Sequence, residues 1–207
     1  MRKCRDRSSC RIFGQGVVEM NLPNKKYSII YCDPPWSYDD KALAGNRGAC
    51  CKYDVMDIDA LKKLPIQDIT AENSVLFMWA TFPKISEALQ LLDVWGFRYK
   101  TVAFTWVKRG KNSSKYFMGM GRWTRSNSEV VLLATKGKPK RIDAGISQII
   151  DTPIREHSKK PDIVRDKIVQ LCGDLPRIEL FARSKIHGWD VWGNDPKLES
   201  KPLEAFV

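Results

Sequence analysis

Apolar residues fill Tyr27-Ser-Ile-Ile-Tyr-Cys32 and run unbroken through Val75-Leu-Phe-Met-Trp79, and runs of that length predict strands buried on both faces. The first must end at Asp33, because Pro34 and Pro35 have no N–H to give to a ladder. Thr101–Val107 and Glu129–Thr135 predict a third and a fourth strand, Ile146–Ile150 a fifth and Arg177–Ala182 a sixth. Between them the period lengthens to that of a helix. Asp57–Leu64 reads as a short helix ended by Pro65. Pro83 opens a second, with Ile85, Ala88, Leu89, Leu92 and Trp95 on one face and Gly96 as its stop. Pro161 is expected as the first residue of a third, with Val164, Ile168, Leu171 and Cys172 inward and Gly173 beyond its end. Strands alternating with helices of this size predict an α/β fold with a mostly parallel sheet flanked by helices.

The polar stretches divide the chain further. Ser37–Asp54 and Lys108–Trp123 are long loops at strand ends, where loops of that length are functional or disordered. In the second, Tyr116, Phe117 and Trp123 interleave with Lys108, Arg109, Lys111, Lys115 and Arg122. That pattern suits a groove holding a nucleic-acid strand by phosphate contacts and stacking, and equally a mobile surface loop. Basic residues also mark the leader (Arg2, Lys3, Arg5, Arg7, Arg11) and the turn at Lys136, Lys138, Lys140 and Arg141. The expected division is a basic arm over 1–22, one catalytic domain over 23–196 and a tail over 197–207.

Length and charge narrow the class. A chain of 207 residues suffices for one domain with a sizeable core. The formal charge of +11 matches a polyanion, of which nucleic acid is the commonest. No stretch approaches the roughly 20 apolar residues of a membrane span, so a cytoplasmic protein is expected. The six cysteines form no Cys-x-x-Cys pair and only His157 and His187 could complete a site, so reduced thiols are expected and no metal.

Candidate chemistry centres on Asp33-Pro-Pro-Trp36. A carboxylate at the carboxyl end of a buried strand stands where open α/β sheets bind ligands. The prolines fix the backbone beyond it and aim Trp36. An acceptor beside a flat ring suits methylation of an exocyclic amino group on a heteroaromatic base. Asp33 would accept one N–H, the Pro34 carbonyl the other, and Trp36 would stack on the base. Positioning and preorganised electrostatics would supply most of the rate. The helix start after His157-Ser-Lys-Lys-Pro-Asp162 offers an anion site beside Lys159 or Lys160. Gly188-Trp-Asp-Val-Trp-Gly-Asn194 offers aromatic surface and an amide for a purine.

Taken in order, Asp33-Pro-Pro-Trp36, Val75–Trp79, Trp123-Thr-Arg-Ser-Asn-Ser-Glu129, His157–Asp162, Glu179-Leu-Phe-Ala-Arg183 and Gly188–Asn194 resemble the MT-A70 family of S-adenosylmethionine-dependent adenine-N6 methyltransferases, in its phage and bacterial DNA branch. The resemblance implies a single-domain Rossmann-like methyltransferase using S-adenosyl-L-methionine and acting on DNA. RNA is the alternative substrate, and a noncatalytic nucleic-acid-binding subunit the alternative role. It implies catalysis by Asp33, Pro34, Pro35 and Trp36, with the cofactor held by Asp33, Ser158, Lys160, Phe181, Arg183, Gly193 and Asn194. Lys160 would take the cofactor carboxylate, Arg183 the ribose and Asn194 the adenine. Tyr53, Lys108, Arg109, Arg122 and Trp123 are the implied substrate contacts, and a homodimer or partner subunit is allowed. Two departures stand out: the stretch from Arg183 to Trp189 is short, and Asp195 replaces an amide. Recognition of sequence would rest on 37–54, 108–123, the leader or a partner.

Overall fold

The computed structural model describes residues 22–38, 55–121, 123–156, 159–193 and 198. Its seven strands are β1 (Tyr27–Cys32), β2 (Thr70–Ala80), β3 (Arg98–Arg109), β4 (Ser128–Lys136), β5 (Ile149–Pro153), β6 (Arg177–Leu180) and β7 (Asp190–Trp192). They form one sheet in the order β5-β3-β4-β2-β1-β6-β7. β1 runs parallel to β2 and β6, β6 to β7, and β3 to β5. Only β4 is reversed, antiparallel to both β2 and β3. The carboxyl ends of the six parallel strands and the amino end of β4 therefore share one edge, which carries the site.

Alternation along β1 feeds two cores. Ile30 and Cys32 join Leu76, Met78 and Ala80 on one face, while Ile29 and Tyr31 join Val75, Phe77 and Trp79 on the other. Helices α1 (Ile58–Lys62) and α2 (Ile85–Val94) cover the first face through Leu61, Ala88, Leu91 and Leu92. Helix α3 (Ile163–Cys172) covers the second through Val164, Ile168 and Cys172. Burying each of the leucine, isoleucine and valine side chains among these contributes about 1.5–3 kcal/mol. Asp57 caps α1, accepting from the Ala60 N–H at 2.7 Å. Gly96, at φ 81°, takes the left-handed turn that lets the chain reverse after α2. Across the second face, Arg165 of α3 grips the buried Glu179 of β6 with two bonds of 2.6 and 2.8 Å.

The sequence expectations differ from the fold in boundaries and in one element. Pro161 precedes α3, whose cap is Asp162. The sixth strand stops at Leu180 because Phe181 adopts φ 61°, outside extended geometry. The fifth begins at Ile149 and ends on Pro153, tolerated because β5 is an edge strand. β7 is a short strand where the sequence suggested aromatic ligand surface. Among the described residues no helix is long and apolar enough to cross a membrane.

Candidate active site

Asp33 follows the last residue of β1, and the turn beyond it is pinned from several directions. The Trp36 N–H donates to the Pro34 carbonyl at 2.8 Å and the Met56 N–H to the Pro35 carbonyl at 2.9 Å. The Trp36 indole N–H donates to the Trp79 carbonyl at 3.2 Å. Two expectations need correcting here. Trp36 is only 6% exposed and packs with Met56 and Met78 in the core, so it fixes the turn instead of standing free as a stacking platform. The Pro34 carbonyl already accepts one bond, leaving a single lone pair for any ligand.

A chain of four alternating charges crosses the edge of the sheet. Lys160 Nζ lies 3.0 Å from Asp33 Oδ2 and 3.2 Å from Glu129 Oε2, over the ring of Trp79. Glu129 Oε1 in turn accepts from Lys108 Nζ at 2.5 Å. The sequence alone assigns Glu129 no role. It enters because β4 is reversed, bringing its first residues to the edge where β1 and β2 end. Burial pushes the Asp33 carboxyl above its ordinary range, and Glu129 adds to this while Lys160 works against it. Burial also penalises the charged form of Glu129, but Lys160 and Lys108 together outweigh that and hold its carboxyl low. Burial alone would lower the Lys160 ammonium, and the flanking carboxylates raise it instead. Lys160 is thus a firmly charged cation between two carboxylates, and the side chain of Asp33, 27% exposed, still reaches solvent.

Of the other residues that the resemblance assigns to the cofactor, Phe181 and Arg183 follow β6 and Gly193 follows β7. Phe181, in its left-handed conformation, sets its ring edge-on to Trp192 at 5.5 Å. A Cβ on Gly193 would stand 2.3 Å from the Ala182 carbonyl oxygen, so only glycine lets these backbones meet. Arg183 is exposed and close enough to lower the Asp33 carboxyl slightly. The tryptophans of 188–194 are not open ligand surface: Trp189 packs against Tyr31 and the Arg177 guanidinium, and Trp192 is likewise buried. Ser158 and Asn194 lie outside the described residues, as do Tyr53 and Arg122.

Of the implied substrate contacts, Lys108 and Arg109 are already engaged. Lys108 is committed to Glu129, and Arg109 holds Asp151 with two bonds, donates to the Ser114 carbonyl at 2.6 Å and covers the ring of Tyr116. Trp123 is fully exposed.

The MT-A70 family model matches residues 27–195, most of the chain. The type II methyltransferase M.MunI of a Mycoplasma species is 38% identical over 190 residues, covering 83% of this chain and 78% of its own. The human N(6)-adenosine-methyltransferase catalytic subunit METTL3 is 26% identical over 160 residues, 76% of this chain but 26% of its own length. The Drosophila melanogaster N(6)-adenosine-methyltransferase MT-A70-like protein is 25% identical over 184 residues, 85% and 28% respectively.

Proposed function

This chain belongs to the MT-A70 family and is a methyltransferase, and from that premise we propose that it methylates the N6 amino group of adenine in DNA with S-adenosyl-L-methionine as donor, acting in the cytoplasm. The observation that carries the reading is the solvent-reaching carboxylate of Asp33, held by Lys160 at the carboxyl edge of a parallel sheet. Preference for DNA over RNA follows the type II methyltransferase relative, which this chain matches over most of both lengths.

The residues suit the donor. Its amino-acid end is a zwitterion, and Asp33 and Lys160 offer one charge of each sign 3.0 Å apart. Gly193 lets the backbone at the end of β7 close on Ala182, beside the left-handed Phe181, in the region assigned to the nucleoside end. When bound, the cofactor supplies an electrophilic methyl group on a sulfonium sulfur.

The chain's own residues supply position and charge. The amino lone pair of adenine is delocalised into the ring, so both N–H groups need acceptors that turn the nitrogen toward the methyl. Asp33 accepts one, and the second lone pair of the Pro34 carbonyl accepts the other. As the N–C bond forms and the methyl's bond to sulfur breaks, leaving a neutral thioether, the surplus proton on the nitrogen would pass to Asp33 and then to solvent. Lys160 keeps Asp33 ionised for this task and Glu129 keeps Lys160 in place. Domain limits of 23–196, with a basic arm before and a tail after, belong to the same proposal.

The test is nucleoside analysis of DNA and RNA incubated with the protein and labelled S-adenosyl-L-methionine. Label in N6-methyladenine from DNA is expected. Label confined to RNA, or to N4-methylcytosine, overturns the reading.

A further inference from the structure

The chain between Arg109 of β3 and Ser128 of β4 leaves the sheet at the same edge as Asp33 and folds back as a hairpin. Its base is tied by the Lys108 N–H to the Asn127 carbonyl at 2.9 Å and the Phe117 N–H to the Lys108 carbonyl at 2.8 Å. Its neck is closed where Gly119 and Ser126 exchange backbone bonds of 2.9 and 3.3 Å. A Cβ on Gly121 would stand 1.9 Å from the Thr124 carbonyl oxygen, so position 121 admits only glycine. This constrained tip presents apolar side chains to water: Met120 is 79% and Trp123 101% exposed, with Met118 exposed along the same arm. Folding of the domain gains little from them, which marks a surface for something else.

Charge selects the occupant. Residues 108–128 contain Lys108, Arg109, Lys111, Lys115, Arg122 and Arg125 and no acidic residue. Glu129 and Asp151 answer the first two, leaving a cationic excess around an apolar point. Cations for phosphates and an apolar tip for the base stack are the chemistry of side chains that enter a duplex. An adenine in duplex DNA must leave its stack to reach Asp33, and unstacking it costs free energy.

We propose that the β3–β4 hairpin is a wedge, with Trp123 and Met120 entering the duplex to fill the place of the extruded target base. The inference rests on the DNA reading above. Because Trp123 is fully exposed, its replacement should leave folding intact.

The test compares the full chain with its W123A, W123F and M120A variants on a duplex bearing a mapped methylation site and on its single target strand. The wedge predicts that W123A lowers duplex kcat/KM by roughly tenfold or more. Single-strand turnover falls far less, and W123F recovers part of the loss. Equal losses on both substrates, or none on either, overturn the wedge. Loss of self-association with an unchanged duplex-to-single-strand ratio overturns it too and reassigns the tip to a subunit contact. Absence of any DNA methylation by the wild type is a failure of the earlier reading alone. Binding to a fluorescein-labelled duplex with one abasic site then judges the wedge: the wild type should prefer it over intact duplex and W123A bind both alike, and no preference by the wild type overturns it.

Discussion

Lys160 reaches from just before α3 to within 3.0 Å of Asp33 at the end of β1, with Glu129 of β4 on its far side at 3.2 Å. Three separate stretches of chain thus meet in one electrostatic unit. The state of Asp33 is set by the balance between burial and Glu129, which favour its neutral form, and Lys160, which favours its charged form.

A pH dependence with a definite sign follows. The ionised carboxylate is the active form and its pKa is raised, so kcat/KM should fall with acid at a pH above the ordinary carboxylate value of 3.8. Glu129→Gln removes a negative neighbour and should move that acid limb down. Lys160→Met removes the positive one and should move it up. Opposite displacements in the two pH profiles are expected, and an unmoved limb in both would contradict the coupling.

Trp36 gives a test that separates a core role from a stacking one. Trp36→Phe keeps a ring but loses the bond to the Trp79 carbonyl, leaving a buried acceptor without that partner. The cost should be about 1–3 kcal/mol in urea unfolding, with little change in KM for DNA. A raised KM at unchanged stability would restore the platform.

The Arg165–Glu179 pair should be the costliest ion pair to break. Both side chains are nearly buried, and Glu179 also faces the aromatic wall of Tyr31. Arg165→Ala leaves the buried Glu179 without its guanidinium partner, which should cost about 3–5 kcal/mol in chemical unfolding. Replacing both by apolar residues of similar size should recover most of it.

Gly193→Ala asks whether the close approach of β7 to Ala182 matters for the cofactor. The added methyl meets backbone, which yields less easily than a side chain, so about 1–3 kcal/mol of stability should be lost. Calorimetric titration should show weaker S-adenosyl-L-methionine binding as well. Unchanged affinity would remove Gly193 from the cofactor site.

Much of this architecture was legible in the residues, for reasons that differ by element. β1 and β2 announce themselves through Ile29–Cys32 and Val75–Ala80, stretches buried on both faces that no polar residue breaks, and Pro34–Pro35 can only end one. α2 was legible from its period and its closing glycine. The reversal of β4 left a fainter signal: no helical pattern separates β3 from β4, and antiparallel neighbours need no crossover helix. Glu129 was missed for that reason, since its place beside Asp33 depends on strand direction. The burial of Trp192 is not legible because three residues of edge strand are too few to display alternation, and that of Trp189 because it depends on Tyr31 and Arg177, far off in the chain. Lys108 and Arg109 looked like free cations because Glu129 and Asp151, which neutralise them, lie 21 and 42 residues away.

The central claim is that Asp33 orients the amino group of adenine for methylation. It is tested most directly by Asp33→Ala, assayed for labelled methyl transfer to DNA adenine and for S-adenosyl-L-methionine binding on the same preparation. Turnover should be abolished while binding stays within an order of magnitude of the wild type. Turnover at the wild-type rate would contradict the account and place the chemistry elsewhere in the molecule.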